Sequence, residues 1–300
     1  MKLGLALPHA GEQASPAAIA EAAMGAEEIG LDSVWVLDRV LRPRAPVSGE
    51  AIPEFYATVF DPLETLSYVA GLTSRVQLGT SVVQALFHPP VVLARRLATL
   101  DRFSGGRLVA GLGQGWMPEE FAVAGVRMSR RGRGFEEYVA ALRAAWGPDP
   151  VRFDGDIYRI PESDIGPKPH RPDGVPVLVG YTSAVTIERA AGFADSLHPN
   201  RSDFDTLRTD VELFRGAAEA AGRDPGSLPI VLRAAARLTD TAEAEADRSL
   251  FVGTVAQWAA DCERVAAIGI DHVFLGLRAP VSKQLEAMVE LRERVPADRH

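Results

Sequence analysis

Eight short apolar segments alternate with helical patterns from one end of the chain to the other. The segments are Leu3–Leu7, Ser33–Leu37, Val76–Ser81, Arg107–Ala110, Val177–Gly180, Asp195–His198, Ile230–Ala235 and His272–Leu275. Because they lack the polar alternation of strands that face water, they predict a parallel sheet covered by helices on both faces. Eight such units favour an α/β fold of the closed (β/α)8 TIM type over an open doubly wound sheet, which remains the alternative.

Two segments interrupt this alternation. Residues 42–56 follow the second strand and are rich in proline and charge, and residues 147–173 contain six prolines. We expect both to be insertions on the rim of the barrel rather than linkers between domains. The 300 residues are therefore predicted to form a single domain over 1–300, a length that barrels commonly reach.

Composition excludes several classes of protein. The net charge of −8 provides no global basic field for nucleic acid. The lone cysteine, Cys262, excludes internal disulfides and cysteine-rich metal sites, and the six histidines show no metal-ligand spacing. No apolar stretch approaches the ~20 residues that span a membrane, and the first apolar run breaks at Pro8. We expect a cytoplasmic protein without metal, membrane or nucleic-acid partners.

Bare backbone at strand ends is the main functional signal. The segment RLVAGLGQGW (Arg107–Trp116) runs from an apolar strand into glycines at alternate positions, where a planar or anionic ligand can approach closely. A second strand end, VPVLVG (Val175–Gly180), opens onto a helix whose N–H groups would attract phosphate. The predicted cofactor-binding residues here are Gly111, Gly113, Gln114, Gly115, Gly180, Tyr181, Thr182 and Ser183. Capping of the helix by Ser183 is the alternative.

Self-contained catalytic motifs are missing from the sequence. It has no GxxxxGK[ST] phosphate loop, no HExxH, no GxSxG and no CxxC, and GxGxG alone is a weak signal. Two explanations follow. Either a bound cofactor carries the chemistry, or the chain is a non-catalytic barrel that binds a cofactor or metabolite.

Several longer motifs resemble one known family. WVLDRVLRP (Trp35–Pro43), VQLGTSVVQ (Val76–Gln84) and PVVLARRLATLDRFSGGRLVAGLGQGW (Pro90–Trp116) are similar to segments of the luciferase-like monooxygenase superfamily. The best match is its branch of coenzyme F420-dependent oxidoreductases, and the similarity extends over nearly the whole chain. The resemblance implies a TIM-type barrel, a homodimer, and a deazaflavin or flavin ring over the carboxyl ends of the strands.

The resemblance also implies roles for individual residues. The third strand of the family ends in a non-prolyl cis peptide against the ring, which corresponds here to Ser81–Val82. Asp38 corresponds to a residue beside the ring and the substrate pocket. Arg39 stands where many F420 enzymes have a histidine, so it either binds an anionic substrate or cofactor tail, or forms a rim ion pair with Asp38.

A basic run, Arg127–Arg133, stands out in this acidic chain. Coenzyme F420 carries a phosphate and a polyglutamate tail, so a cationic rim would suit it. A solvated face whose arginines pair with Glu136 and Glu137 is the alternative.

The expected function is that of an oxidoreductase that moves a hydride between F420 and a small organic substrate, with Asp38 and Arg39 orienting the substrate or relaying a proton. The alternative with the same fold is an FMN-dependent monooxygenase that uses O2. A flavin or F420 reductase would then be a partner.

Overall fold

A computed structural model describes residues 1–245 and 248–296. The strands are β1 (Lys2–Ala6), β2 (Ser33–Val36), β3 (Gln77–Thr80), β4 (Val83–Gln84), β5 (Leu108–Gly113), β6 (Val151–Asp154), β7 (Arg159–Ser163), β8 (Val177–Gly180), β9 (Ser196–His198), β10 (Val231–Leu238), β11 (Val252–Gly253) and β12 (His272–Leu277). The helices are α1 (Pro16–Ile29), α2 (Pro62–Ala70), α3 (Pro90–Phe103), α4 (Pro118–Ala124), α5 (Arg133–Trp146), α6 (Ala184–Phe193), α7 (Phe204–Ala220), α8 (Val255–Ala267) and α9 (Val281–Arg294). All eight predicted strands are present.

The main sheet is parallel and curls into a barrel. Its strand order is β11-β10-β12-β1-β2-β3-β5-β8-β9, and the short β4 pairs with β5. The sheet closes on itself where Leu197 of β9 forms a parallel bridge with Ile230, the residue before β10. The predicted (β/α)8 architecture is therefore confirmed, and the open doubly wound sheet is excluded. In a closed parallel barrel the carboxyl ends of all strands surround one mouth.

Local sequence explains how the helices begin and end. The Ser15 side chain accepts a hydrogen bond from the Ala18 N–H at the start of α1, and Gly30 ends that helix with a φ of 81°. Asp61 caps α2 by accepting from the Leu63 N–H at 3.0 Å. These side chains satisfy backbone donors that the first turn of a helix leaves free.

The barrel interior is filled by stacked rings. The Trp35 ring lies parallel to the Phe274 ring, with 4.6 Å between centroids, and the His198 ring lies 5.6 Å from Phe274. Gly79 makes room for Trp35, since a Cβ at Gly79 would lie 2.2 Å from the indole. The interior is thus a packed core that ends below the mouth.

The strand before the glycine motif is longer than predicted. β5 continues through Gly113, and Gly111 lies inside the sheet, where the Thr80 carbonyl approaches it so closely that a Cβ would lie 1.8 Å from that oxygen. The Thr80 hydroxyl also donates to the Gly111 carbonyl at 2.8 Å. Contact between neighbouring strands therefore requires a glycine here, and the ligand contact expected at Gly111 is replaced by a backbone contact.

The two proline-rich segments occupy different places. Residues 42–56 lie at the carboxyl ends of the strands, where Val47 and Ile52 pack with Met117. Residues 147–173 instead form the antiparallel β6–β7 hairpin and then cross the other end of β5, where the Arg171 guanidinium donates to the Leu108 carbonyl. These contacts place part of the second segment at the end of the barrel opposite the carboxyl ends of the strands.

Within the described ranges, no helix combines the length and the apolar character needed to cross a lipid bilayer.

We predict that Gly111→Ala lowers the free energy of unfolding by about 2–3 kcal/mol, because the new methyl group must displace the Thr80 backbone. Gly216→Ala is the matched control: Gly216 lies in α7 with open space around its Cα, so alanine should stabilise the protein by about 1 kcal/mol. Urea unfolding of both variants measures the difference. An unchanged midpoint for Gly111→Ala would show that packing does not require this glycine.

Candidate functional site

Two adjoining cavities open at the carboxyl ends of the strands. The large chamber has a volume of about 780 Å³ and the small chamber a volume of about 440 Å³. The large chamber is lined by residues 37–39, 47–48, 50–53, 56, 81–82, 84, 113–116, 131, 180–182, 198, 200 and 233. The small chamber is lined by residues 6–13, 35–37, 54–55, 81, 233, 235, 274, 276–279 and 284. Leu37, Ser81 and Arg233 line both and form their shared wall.

The structure brings most of the predicted site residues together around the large chamber. Those that line it are Asp38, Arg39, Ser81, Val82, Gly113, Gln114, Gly115, Gly180, Tyr181 and Thr182. Gly111 and Ser183 do not belong to its lining. Gly111 is inside the sheet, and Ser183 is exposed at the start of α6 with its hydroxyl 3.1 Å from that of Thr186. Ser183 occupies the N-cap position of α6, but its side chain makes no capping hydrogen bond to the helix backbone.

The shared wall contains a fixed hydrogen-bond chain. The Ser81–Val82 peptide bond is cis, as the family resemblance implied. The Ser81 hydroxyl lies 2.8 Å from His198 Nε2, and His198 Nδ1 lies 2.7 Å from the Val231 carbonyl. Because a carbonyl only accepts, Nδ1 carries the imidazole proton and Nε2 accepts from Ser81. Because its proton is used in this bond, the Ser81 hydroxyl can only accept a hydrogen bond from a ligand.

His198 stays neutral in this arrangement. The pKa of His198 is lowered to about 4, mainly by burial and also by the positive charge of Arg233, while the hydrogen bond to the Val231 carbonyl opposes the shift. A neutral imidazole at physiological pH agrees with the tautomer that the hydrogen bonds require.

Asp38 is a partly buried carboxyl with an unusual acidity. The pKa of Asp38 is raised from 3.8 to about 6. Burial is the main cause, and the negative charges of Asp61 and Glu120 contribute to the same rise. The Gln84 N–H, which donates to Asp38 at 2.9 Å, and the charge of Arg39 oppose the rise. Asp38 can therefore bind or release a proton close to neutral pH.

Arg39 does not form the predicted rim ion pair with Asp38. Its guanidinium binds the fully buried Glu120 at 3.1 Å and lies over the rings of Tyr56 and Trp116, 5.0 and 5.5 Å from their centroids. Glu120 also accepts from the Val40 N–H at 2.9 Å. This cage leaves the Arg39 side chain only 9% exposed and fixes it against the large chamber.

Unpaired polar atoms remain around the large chamber. In the described part of the chain, no hydrogen-bond partner reaches the buried atoms Gln84 Oε1, Arg39 Nε and Arg131 Nε. Buried polar groups are normally satisfied, so one acceptor and two donors here suggest a polar ligand.

The arginines of the basic run Arg127–Arg133 lie in different surroundings. Arg131 lines the large chamber, whereas Arg130 lies over the Tyr158 ring and Arg133 is exposed. The predicted pairing of this run with Glu136 and Glu137 is not observed: Glu136 contacts Arg189 at 3.5 Å, and Glu137 accepts from two backbone N–H groups of the β6–β7 turn.

Tyr181 stands between the large chamber and a polar cluster behind it. Its hydroxyl donates to Asp210 at 2.6 Å, and Arg201 donates to the same carboxylate at 2.8 Å. Burial first, and then the hydrogen bond to Asp210, raises the pKa of Tyr181 above its usual value, so the phenol stays protonated. These contacts fix the Tyr181 ring beside Gly180.

Sequence reasoning missed four side chains of the mouth. His198, Gln84 and Arg233 line the chambers, and Glu120 holds Arg39. Arg233 gave a readable signal, because it interrupts the apolar strand Ile230–Ala235. The sequence contains no comparable signal for Glu120, since its role depends on how α4 folds back against the residues after β2.

The profile of the luciferase-like monooxygenase family matches residues 1–288. An uncharacterised protein of Mycobacterium tuberculosis is 34% identical over 232 residues, which are 75% of this chain and 80% of that protein. The F420-dependent glucose-6-phosphate dehydrogenase of Amycolatopsis mediterranei is 35% identical over 216 residues, 70% of this chain and 62% of the relative. The FMNH2-dependent dimethylsulfone monooxygenase of Pseudomonas putida is 29% identical over 194 residues, 64% of this chain and 52% of the relative.

A solved structure shares the fold across its whole length. An F420-dependent secondary alcohol dehydrogenase, solved in complex with an F420–acetone adduct, superimposes with a TM-score of 0.84 at 20% identity, over 99% of each chain. Members of the matching family include F420-dependent and flavin-dependent oxidoreductases and monooxygenases. Since the family profile covers nearly all of the sequence, the chain belongs to the luciferase-like monooxygenase family.

Proposed function

We propose that the large chamber binds coenzyme F420 and that the protein is an oxidoreductase acting on a small organic substrate. The observation that carries this proposal is that one cavity at the strand ends is lined by Gly113, Gly115 and Gly180 together with arginine side chains and polar atoms that have no partner in the described part of the chain. Support also comes from the relative that is 35% identical and is named as F420-dependent.

The residues of the large chamber fit such a cofactor chemically. A deazaflavin offers carbonyl acceptors and an N–H donor on its ring and carries an anionic tail. Gln84 Oε1 is an acceptor without a partner, and Arg39 Nε and Arg131 Nε are donors without partners. A volume of about 780 Å³ is within the usual range for cofactor sites.

When bound, the deazaflavin supplies a carbon that accepts or donates a hydride. The chain's own residues then have separate tasks. Arg39 and Arg131 hold anionic groups, and the Ser81 oxygen accepts one hydrogen bond at the shared wall. Asp38 lines the large chamber but not the small one, so its carboxylate, whose pKa is raised to about 6, takes up by way of solvent the proton that oxidation of the substrate releases. Holding the two reactants in adjoining chambers lowers the barrier by removing much of the entropy of their encounter.

An FMN-dependent monooxygenase is the second candidate, favoured by the relative that is named as FMNH2-dependent. Such an enzyme needs O2 and reduced flavin from a separate reductase. Arg131 and Arg233, which line the large chamber and make no ion pair in the described part of the chain, favour F420, because its polyglutamate tail carries more negative charge than the FMN phosphate.

We predict that the purified protein binds F420 more tightly than FMN in separate calorimetric titrations. Arg131→Gln should weaken F420 binding roughly tenfold, the value of one charge-assisted hydrogen bond. Arg133→Gln, an exposed change two residues away, should leave the affinity unchanged. Tight FMN binding with no F420 binding would refute the proposed cofactor, and binding of neither would refute the proposed function.

A second prediction concerns Asp38. Its raised pKa means that ionisation destabilises the folded state, a cost that is absent below about pH 4 and complete above about pH 6. Asp38→Asn should therefore increase the free energy of unfolding by up to about 3 kcal/mol at pH 8 and change it little at pH 4. Urea unfolding at both pH values tests this. An equal effect at the two pH values would show that Asp38 has an ordinary acidity.

A further inference from the structure

The wall between the chambers contains a positive charge without a partner. Arg233 extends from β10 and lines both cavities, and its backbone N–H donates to the Pro199 carbonyl at 3.0 Å. Within residues 1–245 and 248–296, its guanidinium makes no hydrogen bond, and no carboxylate lies within ion-pair distance. Because no carboxylate neutralises this charge, it would stabilise an anion in the adjoining space.

Among the described residues that line the small chamber, no titratable group on the inner wall carries a negative charge that compensates Arg233. His198 is neutral, as described above. His9 uses both ring nitrogens on the backbone, with Nδ1 2.9 Å from the Leu7 carbonyl and Nε2 accepting from the Leu37 N–H at 2.9 Å. Burial also lowers the pKa of His9, which keeps it uncharged.

The remaining charges of the small chamber lie at its opening. Glu12, Glu54 and Arg278 are all exposed to solvent, and Arg278 lies over the Phe55 ring at 4.6 Å. Water and salt screen such charges, so they affect a ligand inside the chamber much less than Arg233 does.

The small chamber also contains an acceptor without a donor. Gln284 on α9 is 2% exposed, and its Nε2 donates to the Ala279 carbonyl at 2.7 Å. That bond fixes the amide orientation and leaves Oε1 without a partner in the described part of the molecule. The Ser81 oxygen is a second acceptor at the shared wall. A ligand that supplies an O–H or N–H would satisfy one of them.

The rest of the small chamber is largely apolar. Trp35 and Phe274 form its floor as the top of the stacked core, and Phe55 closes one side. A ligand here is therefore expected to carry a hydrocarbon or aromatic body in addition to its polar groups.

The geometry points to the small chamber as the substrate site, and to a carboxylic acid with a hydroxyl or amino group and an apolar body as the substrate class. Arg233 binds the carboxylate, Gln284 Oε1 accepts from the hydroxyl or amine, and the apolar body packs on Trp35 and Phe274. This assignment rests on the proposed function, because it places the redox cofactor in the large chamber.

Calorimetric titration of the purified full-length protein with matched probes tests the assignment. The probes are 3-phenyllactate, 3-phenylpropionate, which lacks the hydroxyl, and 3-phenyllactamide, which lacks the charge. We expect phenyllactate to bind at least tenfold more tightly than the amide and about fivefold more tightly than phenylpropionate. Glucose 6-phosphate is the fourth probe, and we expect it to bind more weakly than phenyllactate because the chamber is largely apolar.

Variants separate the two contacts. Arg233→Gln should abolish the preference for phenyllactate over the amide, and Arg233→Lys should restore most of it. Gln284→Leu should reduce the advantage of the hydroxyl while the preference for the carboxylate remains. Arg237→Gln is the control, since Arg237 lies on the same strand, outside both chambers and 3.4 Å from Glu243, and should change nothing. Thermal melting of each variant checks that it folds.

Three results would overturn the assignment: equal affinities for acid and amide, an unchanged preference in Arg233→Gln, or tighter binding of glucose 6-phosphate than of phenyllactate. If Arg233→Gln does not fold, the assignment is tested by the affinities of the wild-type protein and of Arg233→Lys for the acid and the amide. A protein that binds F420 but shows no preference for the acid would refute this inference alone. One that prefers the acid through Arg233 but binds neither F420 nor FMN would refute the proposed function instead.

Discussion

Closure of the parallel sheet is the constraint on which the rest of the molecule depends. The barrel closes between β9 and β10, through the bridge between Leu197 and Ile230 and the hydrogen bond from the Arg233 N–H to the Pro199 carbonyl. His198 reinforces this closure by joining β9 to Val231 of β10 and to Ser81 after β3. The same imidazole thus closes the barrel and fixes the wall between the two chambers. Because every parallel strand then ends at one mouth, side chains distant in sequence share a single site.

Charge is distributed unevenly around that mouth. On one side, Asp38 is held among other carboxylates and out of water, so its proton affinity is high. On the shared wall, Arg233 has no counter-charge, although the exposed Arg237 on the same strand pairs with Glu243. A chain selected for stability alone would give Arg233 a counter-charge and Asp38 an ordinary acidity. Both departures are expected where a ligand completes the site.

Much of the fold could be predicted because its signals are local. Apolar runs and helix patterns located the eight strands, and motif similarity located the cis bond at Ser81–Val82. Contacts between distant segments could not be predicted. Gly111 is a glycine because the Thr80 carbonyl lies against it, and Arg39 is fixed because Glu120 folds back from α4. The hairpin β6–β7 was hidden because its prolines indicated only an irregular insertion.

The central claim is that a deazaflavin ring lies in the large chamber, against the Ser81–Val82 segment after β3 and the glycines at the end of β5. A crystal structure of the protein with F420 tests it most directly. The account predicts the ring beside Ser81–Val82 and Gly113–Gly115, with its anionic tail near Arg39 or Arg131. A ring bound elsewhere on the protein, with both chambers filled only by solvent, would contradict it.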